Sequence, residues 1–333
     1  STGCAASFPP PGGICPREWK SIRLRLLGII GKGNKPVIEF IPAKTIVTRM
    51  KKPGEWFGAD YNMNIYKGCC HGCIYCDSRS ECYGIQEFDK VMAKKDALRI
   101  IRDDLRRKVK RGVVATGAMS DPYNPYEKEL LLTRHALELC DAFEFGIAIA
   151  TKSSLLTRDI DVLSDIKAHS PVLCKVTITT SDDELAAKIE PGVGPSSERF
   201  RMIRRLSDAG IYAGILLMPV LPYLEDSPEN IRQIVQMAAD AGARFIYPAF
   251  GVTLRGNQRD WYYGKLNELF PGQGYVEKYQ KRYGSYYECR SPKAKSLWNV
   301  LKEECEKHHI LYQMKDIIHS YRHPYAYEQL SLF

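Results

Sequence analysis

Between residues 57 and 254, short β-type runs alternate with stretches of helical periodicity, and this alternation restricts the fold more than any other feature of the 333-residue chain. The β-type runs cover 61–66, 112–117, 145–151, 174–180, 212–218 and 245–250; the helical stretches lie near 94–109, 130–142, 196–209 and 227–241. Asp208-Ala209-Gly210 and Asp240-Ala241-Gly242 each put glycine where a helix needs its C-cap, and a new strand starts directly after. Repetition of this kind builds βα units and a parallel sheet. Six such units fit a partial (β/α) barrel and an open sheet equally well, and both place their chemistry at the C-terminal ends of the strands.

Composition narrows the class further. With 44% hydrophobic and 26% charged residues, the chain suits a globular protein with a sizeable core, which excludes collagen-like and wholly disordered classes. No apolar stretch approaches the ~18 residues that cross a bilayer. The best run, Gly214-Ile215-Leu216-Leu217-Met218, is cut by Pro219 and Pro222, so no membrane association is expected. Ser1 to Cys15 lack the charged and apolar regions of a secretion signal, and Pro9-Pro10-Pro11-Gly12-Gly13 would interrupt either, which points to the cytoplasm.

The net charge of +9 is unevenly placed. Residues 1–56 carry 10 basic and 3 acidic side chains, residues 57–254 carry 25 and 27, and residues 255–333 carry 13 and 9. Basic flanks around a nearly neutral middle suit a polyanionic partner through phosphate neutralisation, and equally suit a solvated lysine-rich surface. The expected organisation is a basic N-terminal extension over 1–56, a core domain over 57–254, an aromatic and basic region over 255–328 and a short tail over 329–333.

Four of the eleven cysteines fall between residues 69 and 76, and in an enzyme-sized chain that crowding argues for metal rather than disulfides. Cys69, Cys73 and Cys76 form C-x3-C-x2-C directly after the first β-type run. Thiolates bind the irons of a cluster, and a complete [4Fe–4S] site normally takes four of them. Three would leave one iron open to a small molecule. The competing reading is a zinc site with His71, Cys70 or Cys82 as fourth ligand. No second C-x-x-C follows downstream, and a zinc knuckle does not need six βα units behind it.

With an aromatic residue, Tyr75, just before the third cysteine, this segment resembles the radical S-adenosylmethionine (SAM) superfamily. The resemblance implies an α/β fold, a partial (β/α)6 TIM-type barrel with a mainly helical C-terminal extension. It also implies a [4Fe–4S] cluster on Cys69, Cys73 and Cys76 whose open iron chelates the amino and carboxylate groups of SAM. An electron from a reducing donor then cleaves SAM into methionine and a 5′-deoxyadenosyl radical; that chemistry is the cofactor's, while the protein orients and shields it.

From about residue 42 to 226 the chain is more closely similar to the spore photoproduct lyase-like branch. The resemblance rests on Gly68 to Cys76, Ser120-Asp121-Pro122-Tyr123, Thr151-Lys152-Ser153, Glu190-Pro191 with Pro195-Ser196 and Arg199-Phe200, and Pro219-Val220-Leu221-Pro222. It implies that Ser120 and Lys152 hold the methionine end of SAM, with Tyr75, Asp121, Thr177 and Arg199 completing the cofactor-binding set. A lysine beside a carboxylate makes a charge-assisted contact. Tyr123 and Tyr126, next to that site, would be catalytic as radical relays or substrate platforms. One position departs from the branch. The lyase places a hydrogen-donating cysteine two residues before the serine matching Ser120, and this chain has Ala118. Cys140 and Cys174 lie elsewhere in the pattern, on a helix and at a strand start, where a free cysteine usually serves packing.

Beyond residue 255 aromatic and basic residues interleave: Arg259, Trp261, Tyr262, Tyr263 and Lys265, then Tyr279, Lys281, Arg282, Tyr283, Tyr286, Tyr287 and Arg290. Such a surface stacks unpaired bases beside phosphates, and the same residues could equally form a tyrosine-rich cap on the barrel mouth. The chain ends in Gln329-Leu330-Ser331-Leu332-Phe333, similar to the pentapeptide by which bacterial repair and replication proteins dock on the DNA sliding clamp. Leu330, Leu332 and Phe333 would enter apolar pockets while Gln329 hydrogen-bonds at the rim. The combined expectation is a bacterial radical SAM enzyme acting on DNA and recruited through the clamp. An RNA or peptide substrate, or a non-catalytic metal-binding module, are the alternatives.

Overall fold

Within residues 38–325, which the computed structural model describes, each of the six β-type runs contributes a strand to one seven-stranded sheet. In chain order the strands are β1 (Glu39–Ile41), β2 (Val47–Arg49), β3 (Tyr61–Met63), β4 (Tyr66–Lys67), β5 (Met92–Lys94), β6 (Val113–Thr116), β7 (Gly146–Thr151), β8 (Val172–Thr177), β9 (Ala213–Leu217), β10 (Ile246–Pro248), β11 (Gly251–Thr253) and β12 (Glu288–Arg290). The large sheet runs β10-β9-β8-β7-β6-β3-β2, parallel except that β2 pairs antiparallel with β3. The six parallel strands lie in sequence order with no reversal, which is the winding of a barrel; a doubly wound sheet reverses at a switch point. β2 and β10 do not pair with each other, so the barrel is partial.

Strand side chains alternate between two packing environments, as extended backbone requires. Val114, Ile147, Ile149, Cys174, Val176, Ile215 and Leu217 pack outward with the helices Ala97–Arg106, Leu132–Ala142, Ile160–Lys167, Ser196–Asp208 and Pro228–Asp240. Val113, Ala115, Ala148, Leu173 and Leu216 face the barrel interior with Phe57 and Phe245. Helix starts follow local chemistry. Ser227 accepts a hydrogen bond from the Asn230 N–H at 3.1 Å and Pro228 fills the first turn, so the 227–241 stretch becomes the helix Pro228–Asp240. No helix among the described residues is long and apolar enough to cross a membrane.

The periodicity does not foretell three features. β1, β5 and β4 form a small separate sheet, β2 extends the large one from within the segment read as an N-terminal extension, and β11 pairs with β12. These strands have two or three residues each, too few to leave a pattern in sequence.

The mainly helical C-terminal extension contains Gly256–Leu269, Tyr275–Tyr283, Ala294–Lys307 and Met314–Arg322. Here the structure decides between base platform and packed cap for four aromatics. Tyr262 and Tyr279 are fully buried and Tyr263 and Tyr283 nearly so, in one cluster with Cys73, Ile74 and Tyr75. The spacing of 262 to 266 and of 279 to 283 turns each set to one helix face, so these rings make a core. Tyr286 and Tyr287 stay exposed, and Arg255 lies over the Tyr287 ring with 4.4 Å to its centroid. The tail residues Gln329, Leu330, Leu332 and Phe333 lie outside the described residues, as do Cys4 and Cys15.

Candidate active site

The cysteine loop leaves β4 and crosses the C-terminal ends of the parallel strands. Its path demands glycine at position 68, where φ is +79° and a Cβ would stand 2.3 Å from the Lys90 carbonyl oxygen. The loop is tied down along its length. The Cys69 N–H donates to the Phe88 carbonyl at 2.8 Å, the Ile74 N–H to the Ile189 carbonyl at 3.0 Å, and the Gly192 N–H to the His71 carbonyl at 2.9 Å. Cys69, Cys73 and Cys76 are all free thiols, with Cys73 buried and the other two half-buried. Burial opposes ionisation at Cys69, but its hydrogen bond with His71 outweighs this and brings the thiol below its ordinary range; burial pushes Cys73 and Cys76 up.

Beneath the loop, Glu190 gathers side chains from distant parts of the chain. It accepts a short hydrogen bond from the Tyr75 hydroxyl, pairs with Arg199 Nη2 at 2.6 Å, and stands 4.0 Å from Lys152 Nζ. Arg199 also donates through Nη1 to the Thr177 carbonyl at 2.8 Å. Burial works against charge on Lys152, yet Cys73, Glu190 and Cys76 together raise its pKa well above the usual lysine range. Lys152 is therefore a fixed cation between the thiols and Glu190.

Asp121 is a second junction. Oδ1 accepts from the Tyr123 N–H at 2.8 Å and the Thr151 hydroxyl at 2.7 Å, Oδ2 accepts from the Lys152 N–H at 2.9 Å, and His71 Nδ1 lies 3.6 Å away. The ends of β6 and β7 and the cysteine loop are thus joined through one carboxylate. The Ser120 hydroxyl donates to the Gly68 carbonyl.

The structure therefore brings together Cys69, Cys73, Cys76, Tyr75, Ser120, Asp121, Lys152, Thr177 and Arg199. Tyr123 is buried in the outer core and borders the cleft beside the loop, and Tyr126 packs against that core. Cys140 and Cys174 occupy that core too, and burial raises both thiols to about 12. Cys289 and Cys305 belong to different clusters and do not meet. Sequence reasoning considered His71 only as a fourth zinc ligand and passed over Glu190 as a site residue, although both stood inside the quoted motifs. It also passed over Glu225 and Lys175, which no motif marks. Beside the loop, His71, Tyr123, Ser153, Ser154, Thr157 and Gly192 help line a cleft of about 450 Å³ that also takes in Lys128, Arg158, Glu198 and Arg205.

The sequence profile of the Radical SAM superfamily matches residues 63–246, the stretch that runs from β3 to β10 and carries the three cysteines. The chain belongs to the radical SAM superfamily. An uncharacterized protein of Mycobacterium tuberculosis is 31% identical over 230 residues, covering 67% of this chain and 67% of the relative. An uncharacterized protein of Methanocaldococcus jannaschii is 31% identical over 188 residues, covering 56% and 68%. Among solved structures, a spore photoproduct lyase complexed with dinucleoside spore photoproduct matches 87% of this chain and 91% of its own at TM-score 0.59 and 13% identity. TsrM, a radical SAM methyltransferase from Kitasatospora setae with cobalamin and a [4Fe–4S] cluster bound, gives 0.52 at 10% identity over 79% of this chain and 61% of its own. At these identities the two structures establish a shared fold.

Membership makes this a radical SAM enzyme and implies a [4Fe–4S] cluster and SAM. The donor set fits the cluster. Three free thiols lie within electrostatic reach of one another, and Lys152 supplies positive charge beside two of them. Cys82, considered as a fourth zinc ligand, is exposed and accepts a contact from Arg255 at 3.3 Å.

Proposed function

We propose that this radical SAM enzyme acts on a nucleic-acid base, as a DNA-repair or base-modifying enzyme. In this reading Cys69, Cys73 and Cys76 hold the cluster, and Lys152 with Tyr75, Ser120, Asp121, Thr177 and Arg199 forms the surroundings of SAM. The core over 57–254 is the catalytic unit, 255–328 is an aromatic and basic C-terminal region whose helices Gly256–Leu269 and Tyr275–Tyr283 form its cap, and 1–56 is a basic extension. The observation that carries the reading is the meeting of the three thiols with Lys152, Glu190 and Arg199 at the strand ends, on the fold that the lyase shares.

When bound, the cluster supplies the electron that divides SAM into methionine and a 5′-deoxyadenosyl radical. The chain's own residues prepare for this. Lys152 offers a fixed cation to the carboxylate of the methionine moiety. Ser120 acts one step back, because its hydroxyl grips the carbonyl of Gly68 and so steadies the loop. Tyr75 and Arg199 hold Glu190 in place, which in turn sets the position of Lys152. The tyrosine-packed cap covers Cys73, Ile74 and Tyr75 from the solvent side. With Ala118 at the position of the lyase's hydrogen-donating cysteine, hydrogen return in this enzyme would use a different donor.

Support for a nucleic-acid substrate comes from the basic flanks and from Lys128, Arg158 and Arg205 around the cleft beside the cysteine loop. Recruitment through the bacterial sliding clamp rests on Gln329-Leu330-Ser331-Leu332-Phe333 alone. Two measurements test the proposal. Anaerobically reconstituted protein treated with dithionite and SAM is expected to form 5′-deoxyadenosine, and salt-dependent binding is expected for DNA in preference to RNA. Equal binding of purified clamp by the wild type and by a Leu332→Ala, Phe333→Ala variant would remove the recruitment element.

A further inference from the structure

Lys175 lies in the middle of β8 and is 3% exposed. The pleat turns it inward, because Leu173 on the same side belongs to the interior cluster while Cys174 and Val176 face the helices. Its register partner on β7 is Ala150, a small residue. Among the described residues its ammonium forms no ion pair and no hydrogen bond; its one polar contact is the face of the Phe57 ring, with 4.8 Å from Nζ to the centroid. Burying an unpaired ammonium costs several kcal/mol, and a cation–π contact of ~0.5–2 kcal/mol offsets only part of that. Nothing in the fold requires a lysine here, and a methionine would fill the same volume.

The surroundings of Lys175 are also unusual. Phe57 packs edge-on against Trp56 and Tyr247 at centroid distances of 5.1 and 5.3 Å, and Trp56 lies 5.6 Å from Tyr247. Trp56 and Phe57 precede the first parallel strand, whereas Tyr247 belongs to the last. The group therefore lies where the first and last parallel strands face each other, beside the helix Met314–Arg322, whose Tyr321 hydroxyl donates to the Phe57 carbonyl at 2.6 Å. Trp56 is 40% exposed, so the wall runs from solvent toward the amine.

We propose that Lys175 is the substrate-contacting donor of the barrel interior, giving a hydrogen bond to a carbonyl oxygen of a nucleobase that lies along the Trp56–Tyr247 wall. The inference rests on the nucleic-acid reading above and adds to it a residue and a base chemistry. Aromatic faces hold any base by stacking, whereas an ammonium selects those that present an acceptor. Burial lowers the Lys175 pKa to about 8, so at neutral pH the group still carries the proton it donates. Lys152, on the neighbouring strand, is committed to Glu190 and the thiols and does not serve this role.

The test compares oligothymidylate, whose bases carry carbonyl oxygens, with oligoadenylate of equal length, whose bases carry none. Binding to the reconstituted full chain is measured for wild type, Lys175→Met, Lys175→Gln and Trp56→Ala. Lys175→Met is expected to weaken oligothymidylate about tenfold or more, as loss of a hydrogen bond from a charged donor does, with little change for oligoadenylate. Lys175→Gln, which keeps an N–H donor, should recover part of that loss, and Trp56→Ala should weaken both oligomers alike. Lys175→Met should melt no lower than wild type, which separates lost contact from lost fold. Wild-type binding that Lys175→Met leaves unchanged would overturn this inference while the nucleic-acid reading stands. Failure of the wild type to bind either oligomer would overturn both.

Discussion

Arg199 and Glu190 meet at 2.6 Å with each side chain only 1% exposed, a sealed ion pair directly beneath the cysteine loop. Removing Arg199 leaves Glu190 buried with only Lys152, 4.0 Å away, as counter-charge, and breaking a buried pair costs ~3–5 kcal/mol. Arg199→Met is therefore expected to lower the denaturant midpoint sharply. The double variant Arg199→Met, Glu190→Gln should lose less than the two single losses added together, because the pair is removed as a unit and only Lys152 is left without its carboxylate. A double-mutant cycle by urea unfolding measures the difference, and a double-variant loss equal to the sum of the two single losses would show that the pair is not coupled.

Glu225 is buried beside Thr179, accepts the Leu221 N–H at 2.8 Å, and has its other carboxylate oxygen unpaired. Burial raises its pKa from 4.5 to about 8. Below pH 4.5 both folded and unfolded chains carry the proton. Between about 4.5 and 8 the unfolded chain gives it up and the folded chain keeps it, so this group's contribution to stability declines as pH rises through that window. Glu225→Gln should remove the decline. Thermal melts are expected to show the variant more stable than wild type at pH 8, by an amount on the order of a few kcal/mol, and equal to it near pH 4.5. Parallel pH profiles for the two proteins would contradict the assignment.

Asp121 satisfies two backbone N–H groups and the Thr151 hydroxyl. Asp121→Ala would leave these donors buried without an acceptor at about 1–3 kcal/mol each, and would free the His71 end of the loop. We expect a lower melting temperature together with reduced iron content after anaerobic reconstitution. Full iron loading at unchanged stability would rule out a positioning role.

Cys69→Ala, Cys73→Ala and Cys76→Ala should each abolish the visible absorbance of the reconstituted cluster and bring 5′-deoxyadenosine formation to background. Cys82→Ala, on an exposed side chain, should change neither. Loss of metal in the Cys82 variant, with zinc rather than iron in the wild type, would reverse the ligand assignment.

The strand runs of the barrel were legible because each is local. Alternating apolar positions and a glycine that stops a helix are settled within a dozen residues, and all six runs became strands of one sheet. The cysteine spacing and the strand-end motifs were readable for the same reason. Burial was not. Interleaved tyrosines and arginines look alike in sequence whether they face solvent or a neighbouring helix, and Tyr262, Tyr263, Tyr279 and Tyr283 turned out to face inward. Tyr123 and Tyr126 stood beside the right loop, but their rings pack with the outer core.

By itself, then, the sequence determined the order of βα units, the family and the three thiols, since these depend on spacings along the backbone. Tertiary structure alone decided that Tyr75 meets Glu190 across 115 residues, that Lys152 is drawn into their company, and that Lys175 turns into the barrel without a partner. The reason is physical. Which carboxylate an amine meets depends on how the sheet curves and closes, and that curvature is fixed by the packing of all the strands and helices together rather than by any one segment.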